Sequence, residues 1–378
     1  VSASVPGDIG RTGLEVPAPP YVRAMSPYQP GKPISEVARE LGLVEADIIK
    51  LASNENPRGA SAQALKAVQT ALTEVARYPD GNGFALKQAL AAFHGIRPEC
   101  LVLGNGSNDV LELASIAFLA PGTSAVYSQH CFVVNRLATQ ARGAEGIEVA
   151  ACDFGHDLEA MRAAVRDDTR VIFVSNPNNP TGTFVAPDKV YAFLQSVPAN
   201  VLVVLDEAYY EYLTPEQQSG SIGWIGEFTN LLVTRTFSKA YGLAGLRVGY
   251  GLASAPVADL MNRIRQPFNV SNVGQAAALA ALGDAQFVAQ SAELNRSGMQ
   301  QLTNGFASLG LDWIESFGNF VSVRVGDAGK VFRQLLERGV IVRPVAGYGM
   351  PEHLRVSVGL ESENRRFLEA LAEVLQPA

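Results

Sequence analysis

Short, uninterrupted apolar runs alternate along this chain with stretches in which apolar residues recur every three or four positions. The runs at 101–103, 125–127, 171–175, 201–205 and 231–234 read as strands buried on both faces. Between them Leu86, Leu90 and Phe93, and later Leu158, Met161 and Val165, mark helices with one apolar face. Leu65, Val68, Leu72 and Val75 repeat the pattern after Ser61. Strands separated by such helices predict an α/β fold with a mostly parallel central sheet flanked by helices.

The later part of the chain predicts a smaller α+β domain. Helical pattern covers 255–265 and 272–308, strands fall at 320–325, 340–343 and 354–358, and a helix lies at 330–338. Phe367, Leu368, Leu371 and Val374 form the apolar face of a closing helix. A short helix at 35–41 and a strand at 48–51 precede the large domain. The expected organisation is an N-terminal arm with part of the small domain at 1–50, a large domain at 51–265, and a small C-terminal domain at 266–378.

Composition narrows the function. A chain of 378 residues with 47% hydrophobic and 18% charged residues is a packed globular protein, long enough for two domains. Its net charge of −7 comes with no basic run, which argues against nucleic acid as a partner. Residues 1–20 lack the basic start and apolar core of a secretory signal, and no window approaches a membrane span. Cys100, Cys131 and Cys152 form no CxxC pair, so a reduced cytoplasmic setting is expected. The histidines are scattered without metal-ligand spacing, and no metal is expected.

Candidate chemistry gathers where strands end. In sheets of this kind, sites form beyond the carboxyl ends of the strands, and Asn176, Asp206 and Lys239 each follow an apolar run. Lys239 stands among Ser238, Ala240, Gly242 and an aromatic, surroundings that lower an amine's pKa and make it a nucleophile. Thr236, Ser238 and Arg247 suit a phosphate ester. The turn Gly104-Asn105-Gly106-Ser107-Asn108 opens a helix whose free N–H groups form an anion site. Asp109 stands where a dinucleotide fingerprint needs its third glycine, so a single phosphate is favoured over a nicotinamide cofactor. On residue type alone, Asp206 has a cap of a helix or turn as its alternative role. Arg343 and Arg355, inside apolar strands, have pairing with a structural carboxylate as theirs.

The segments Val174-Ser175-Asn176-Pro177-Asn178-Asn179-Pro180-Thr181-Gly182, Asp206-Glu207-Ala208-Tyr209 and Ser238-Lys239-Ala240-Tyr241-Gly242-Leu243-Ala244-Gly245-Leu246-Arg247 closely resemble the fold-type I, pyridoxal-phosphate-dependent transferases. Within them the chain resembles the histidinol-phosphate aminotransferase family, from Ser26-Pro27-Tyr28 to Leu354-Arg355-Val356. The resemblance implies ping-pong transamination through an imine on Lys239, with histidinol phosphate and 2-oxoglutarate as the leading pair in histidine biosynthesis. It implies Asp206 on the pyridine nitrogen, Tyr209 and Asn176 on the phenolic oxygen, and Gly106, Ser107, Asn108, Thr236, Ser238 and Arg247 on the phosphate. Tyr78 would reach that phosphate from a second subunit. Asn54, Arg343, Arg355 and the partner arm's Tyr28 would meet substrate, which makes the protein a homodimer.

One departure stands out. Asn135 occupies the second aromatic position of a Phe-x-x-Tyr segment, leaving Phe132 or His130 to cover the ring. An aromatic amino acid aminotransferase is the close alternative. A decarboxylase of a phosphorylated amino acid and a non-catalytic pyridoxal-phosphate sensor are further ones, although no helix-turn-helix precedes residue 50.

Overall fold

The computed structural model describes residues 17–27 and 31–376. Among these residues, seven strands form the main sheet: β2 (Leu101–Gly104), β3 (Ser124–Ser128), β4 (Glu145–Val149), β5 (Thr169–Ser175), β6 (Leu202–Asp206), β7 (Leu231–Thr236) and β8 (Gly249–Ala253), the short strand β1 (Ile49–Lys50) lying elsewhere. Their order is β2-β8-β7-β6-β5-β3-β4, with only β8 antiparallel to its neighbours. The inner strands are buried on both faces, which their unbroken apolar sequences require.

Two of these strands lack that pattern. Edge strand β4 is largely exposed and reads Glu-Gly-Ile-Glu-Val, while β8 begins Gly-Tyr-Gly. The glycines of β8 admit close neighbours: a Cβ on Gly251 would stand 2.7 Å from the Val110 side chain.

A second layer holds β9 (Trp313–Ile314), β10 (Phe320–Arg324), β12 (Arg343–Pro344) and β13 (His353–Ser357) in the order β12-β13-β10-β9, all antiparallel, beside a parallel pair of β1 with β11 (Val340–Ile341). Its core packs Phe306, Leu335, Phe367 and Leu371 under β10 and β13. Residues before the large domain join this layer, with Val37, Ile48 and Ala52 packing on Leu336 and Ile341.

The helical pattern expected over 272–308 is broken. Asn272–Leu282 ends at Gly283, and Ala285–Ser308 starts afresh with the Asp284 side chain accepting from Phe287 N. Asn272–Leu282 buries Ala277, Ala278 and Ala281 in the core of the main sheet. The helix expected after Ser61 also differs in its facing. Ala62–Ala71 buries Ala64, whereas Leu65, Leu72 and Val75 are more than half exposed. The stripe's apolar positions therefore face outward rather than into the core of the sheet.

Phe367 is fully buried in the second layer against Phe306. Phe367→Ala is expected to destabilise that layer by about 3–5 kcal/mol, read as a lower midpoint in urea unfolding followed by tryptophan fluorescence in a Trp224→Phe background, where Trp313 alone reports.

Candidate functional site

The carboxyl ends of β5, β6 and β7 and the turn after β2 open into one cleft, closed on its other side by residues 52–54, β12 and β13. Asp206 and Lys239 both line it. Parallel register puts Asp206 opposite Thr234, whose hydroxyl donates to Asp206 Oδ1 at 2.7 Å. On the sheet's other side Arg235 forms a buried pair with Glu207, Nη2 to Oε2 2.6 Å, and its guanidinium lies over the Tyr210 ring. Two further hydroxyls, of Ser219 and Ser221, donate to Glu207.

Burial pushes the Asp206 carboxyl up to about 6, against the pull of the Thr234 hydrogen bond. Burial, helped by the charge of Arg355, brings the Lys239 amine down to about 7. Lys239 Nζ donates to the carbonyl of Ser53 at 3.2 Å. An amine held this low is neutral in part near pH 7, the state in which an amine can act as a nucleophile.

One end of the cleft gathers groups that favour an anion. Ser107 and Asn108 begin the helix Ser107–Phe118, and its free N–H groups and dipole face the same space as Thr236, Ser238 and Arg247. Arg247 has left-handed backbone, φ 56°, and its Nη1 donates to Ser238 Oγ at 3.4 Å and to the Ala244 carbonyl at 3.1 Å. Two glycines make room. A Cβ on Gly106 would lie 2.5 Å from Arg247 Nη2, and one on Gly249 would lie 2.3 Å from the Ser107 nitrogen.

The donor set fits pyridoxal phosphate. A cation and helix amides stand at one end, a buried carboxylate and an amine line the same cleft, and the buried Ser175 Oγ on its wall lacks a partner among the described residues.

The sequence reading misplaced one donor. Asn176 Nδ2 donates to the Val185 carbonyl and its Oδ1 accepts from Val185 N, both at 2.8 Å, so its amide is spent on backbone and does not line the cleft. Asn179 does, and its Oδ1 accepts from Arg355 Nη1 at 2.6 Å, which leaves its NH₂ to donate. The only sequence signal separating the two asparagines was the Pro-Thr-Gly that follows Asn179. Phe132 lines the cleft, whereas His130 donates from Nδ1 to the Tyr348 carbonyl at 2.6 Å; Asn135 is buried in the helix Val133–Ala141. Tyr209 is buried, its phenol pushed up to about 12 chiefly by desolvation.

Arg343 and Arg355 are register partners on β12 and β13 and both line the cleft, joined by Tyr348, which the sequence showed only as an aromatic between two glycines. Arg355 Nη2 also donates to the Ala52 carbonyl at 2.6 Å. Asn54 is 1% exposed, with its side chain engaged by Tyr209 and Ser357. Tyr78 is 83% exposed, stacked on Phe268 at 4.7 Å, and does not line its own subunit's cleft. Tyr28 lies outside the described residues.

Comparison with known proteins matches residues 46–371 to the aminotransferase class I and II family. The chain is 62% identical to histidinol-phosphate aminotransferase 1 of Thiobacillus denitrificans, over 96% of this chain and 94% of that one. It is 61% identical to the histidinol-phosphate aminotransferase of Methylobacillus flagellatus, over 95% and 97%. Among solved structures, the histidinol-phosphate aminotransferase of Sinorhizobium meliloti in complex with pyridoxal-5'-phosphate superposes with a TM-score of 0.87 at 30% identity, covering 94% of this chain and 96% of that one.

Between about 7 and the ordinary lysine value of 10.5 the unfolded chain binds a proton that the folded protein does not, so the burden of burying Lys239 is full below pH 7 and fades as pH rises. Lys239→Met is therefore expected to raise the thermal midpoint of the cofactor-free protein at pH 6, with the gain shrinking toward pH 10. A gain that does not change with pH would contradict the assignment.

Proposed function

The chain belongs to the class I and II aminotransferases and to their histidinol-phosphate branch, and we propose that it transfers the amino group of histidinol phosphate to 2-oxoglutarate, a step of histidine biosynthesis. The observation that carries this reading is the joining, in one cleft, of the Lys239 amine, the Asp206 carboxylate, a phosphate-sized cradle at Arg247, and two arginines on the opposite wall. Pyridoxal phosphate, when bound, supplies a protonated pyridine ring that draws electrons from the carbon bearing the amino group.

The chain's own residues then have distinct tasks. Asp206 would keep the proton on the ring nitrogen, with Thr234 holding its other oxygen. Gly106, Ser107, Asn108, Thr236, Ser238 and Arg247 would hold the phosphate through amides, hydroxyls and a guanidinium. Tyr209 and Asn179 would donate to the phenolic oxygen, and Phe132 would lie against the ring. Lys239 would carry the cofactor at rest and, once displaced, take a proton from the substrate carbon as general base. Its depressed pKa supports that second task, because an amine neutral near pH 7 is ready to accept a proton.

Arg355 and Arg343 would clamp the anionic ends of the two substrates in turn, a carboxylate or a phosphate ester. Asn179 ties the clamp to the ring, since Arg355 fixes which way its amide points. The cytoplasm is the compartment that suits the free thiols of Cys100, Cys131 and Cys152.

A homodimer completes the reading. Tyr78 stacks on Phe268, and Leu65, Leu72, Val75 and Phe84 are exposed as well; a second copy covering these residues would bring its Tyr78 toward the neighbouring phosphate cradle. Tyr28 of the arm would act across the same contact.

Two measurements test this. In half-reactions the purified protein should convert pyridoxal phosphate to its amino form with histidinol phosphate far faster than with phenylalanine, and Arg343→Gln should raise KM for histidinol phosphate about ten- to hundredfold; a preference for phenylalanine would make it an aromatic amino acid aminotransferase. Light scattering should give twice the subunit mass, and Tyr78→Ala should loosen the cofactor in dialysis while leaving that mass unchanged. Full cofactor retention in a monomer would overturn the shared site.

A further inference from the structure

Asn54, which the resemblance places against substrate, is held in a different kind of contact. It has left-handed backbone, φ 54°, a conformation asparagine tolerates better than most residues. Its backbone N–H donates to Ser357 Oγ at 2.8 Å, its side-chain Nδ2 donates to Tyr209 Oη at 2.9 Å, and its Oδ1 accepts from Ser357 Oγ at 3.0 Å. Asn319 Nδ2 holds the Asn54 carbonyl at 3.0 Å. All four side chains are buried, so none of these bonds competes with bulk water.

The amide's direction follows from the hydroxyl beside it. Ser357 Oγ already accepts the Asn54 N–H, and its own proton needs an acceptor, which Asn54 Oδ1 provides. That leaves Nδ2 as the end facing Tyr209. A phenol oxygen that accepts there has its proton free to point away, into the cleft that Tyr209 lines.

We infer that Asn54 and Ser357 are positioning residues that aim the Tyr209 hydroxyl proton at the cofactor's phenolic oxygen, rather than residues that bind substrate. The inference rests on the proposed pyridoxal-phosphate reading and gives Ser357, which the sequence left without a role, a place in the site. Hydrogen bonds in a chain polarise one another, so the Asn54 donor also strengthens the phenol as a donor. A stronger donor favours the deprotonated form of the bound chromophore and lowers the pH at which its absorbance changes.

The test compares absorbance titrations of the cofactor-loaded protein. Tyr209→Phe should move the midpoint upward. Asn54→Asp keeps the backbone conformation but can only accept, which turns the phenol proton away from the cleft; it should move the midpoint upward by at least half as much as Tyr209→Phe. Ser357→Ala, which leaves the amide free to flip, should move it in the same direction. In the Tyr209→Phe background Asn54→Asp should add clearly less than it does in the parent, the remainder being the direct effect of the new carboxylate's charge. KM for histidinol phosphate should stay near that of the parent in Asn54→Asp while kcat falls.

Asn54→Asp or Ser357→Ala with an unmoved midpoint, an equal shift in the Tyr209→Phe background, or a rise in KM with kcat unchanged would each overturn the inference. A parent protein with no pH-dependent absorbance when loaded with pyridoxal phosphate would instead overturn the functional reading beneath it.

Discussion

The register of β6 against β7 is the constraint on which the rest of the site depends. Side chains alternate across a strand, so a slip of β6 by one residue would exchange Asp206 for Glu207 at the cleft, and a slip of β7 by one would turn Thr234 and Thr236 to the far side. The sheet's interior would tolerate that slip, because Leu202 to Leu205 are apolar on both faces. The penalty lies in the polar pairs: Thr234 with Asp206 on one side, and Arg235 with Glu207 on the other. A buried ion pair adds little to net stability compared with a hydrophobic substitute, but mispairing it strands an uncompensated charge. The Glu207–Arg235 pair thus specifies alignment, and Asp206 and Lys239 inherit their placement from it.

Much of this arrangement was legible because its key residues end apolar runs. Asp206 and Lys239 follow strands that no other reading of their sequence accommodates, and the Gly-Asn-Gly-Ser turn announces a helix start. What stayed hidden depended on contacts distant in sequence. Asn176 and Asn179 are alike as residues, and only Val185 and Arg355 distinguish them. Strands β4 and β8 carry no apolar run because one lies at an edge and the other is built of glycines for close packing. Leu65, Leu72 and Val75 have the spacing of a core face, and periodicity cannot say whether the core they meet belongs to the same chain.

The cleft is also a junction between the two layers. Three successive carbonyls, of Ala52, Ser53 and Asn54, accept from Arg355, Lys239 and Asn319. A single short segment therefore links the anion clamp, the reactive amine and the second layer. Movement of one layer relative to the other would be felt at all three.

That junction has a consequence for how the protein is made. Arg355 and Ser357 meet residues 303 positions earlier in the chain, so a ribosome will have delivered the whole large sheet before these two partners of Ala52 and Asn54 emerge. Domains tend to fold as they are synthesised, and the large sheet can therefore assemble around a mouth still missing its far wall. Reactivity then arrives late, with the last strand, and a product cut short before residue 353 would be a packed body without a working centre.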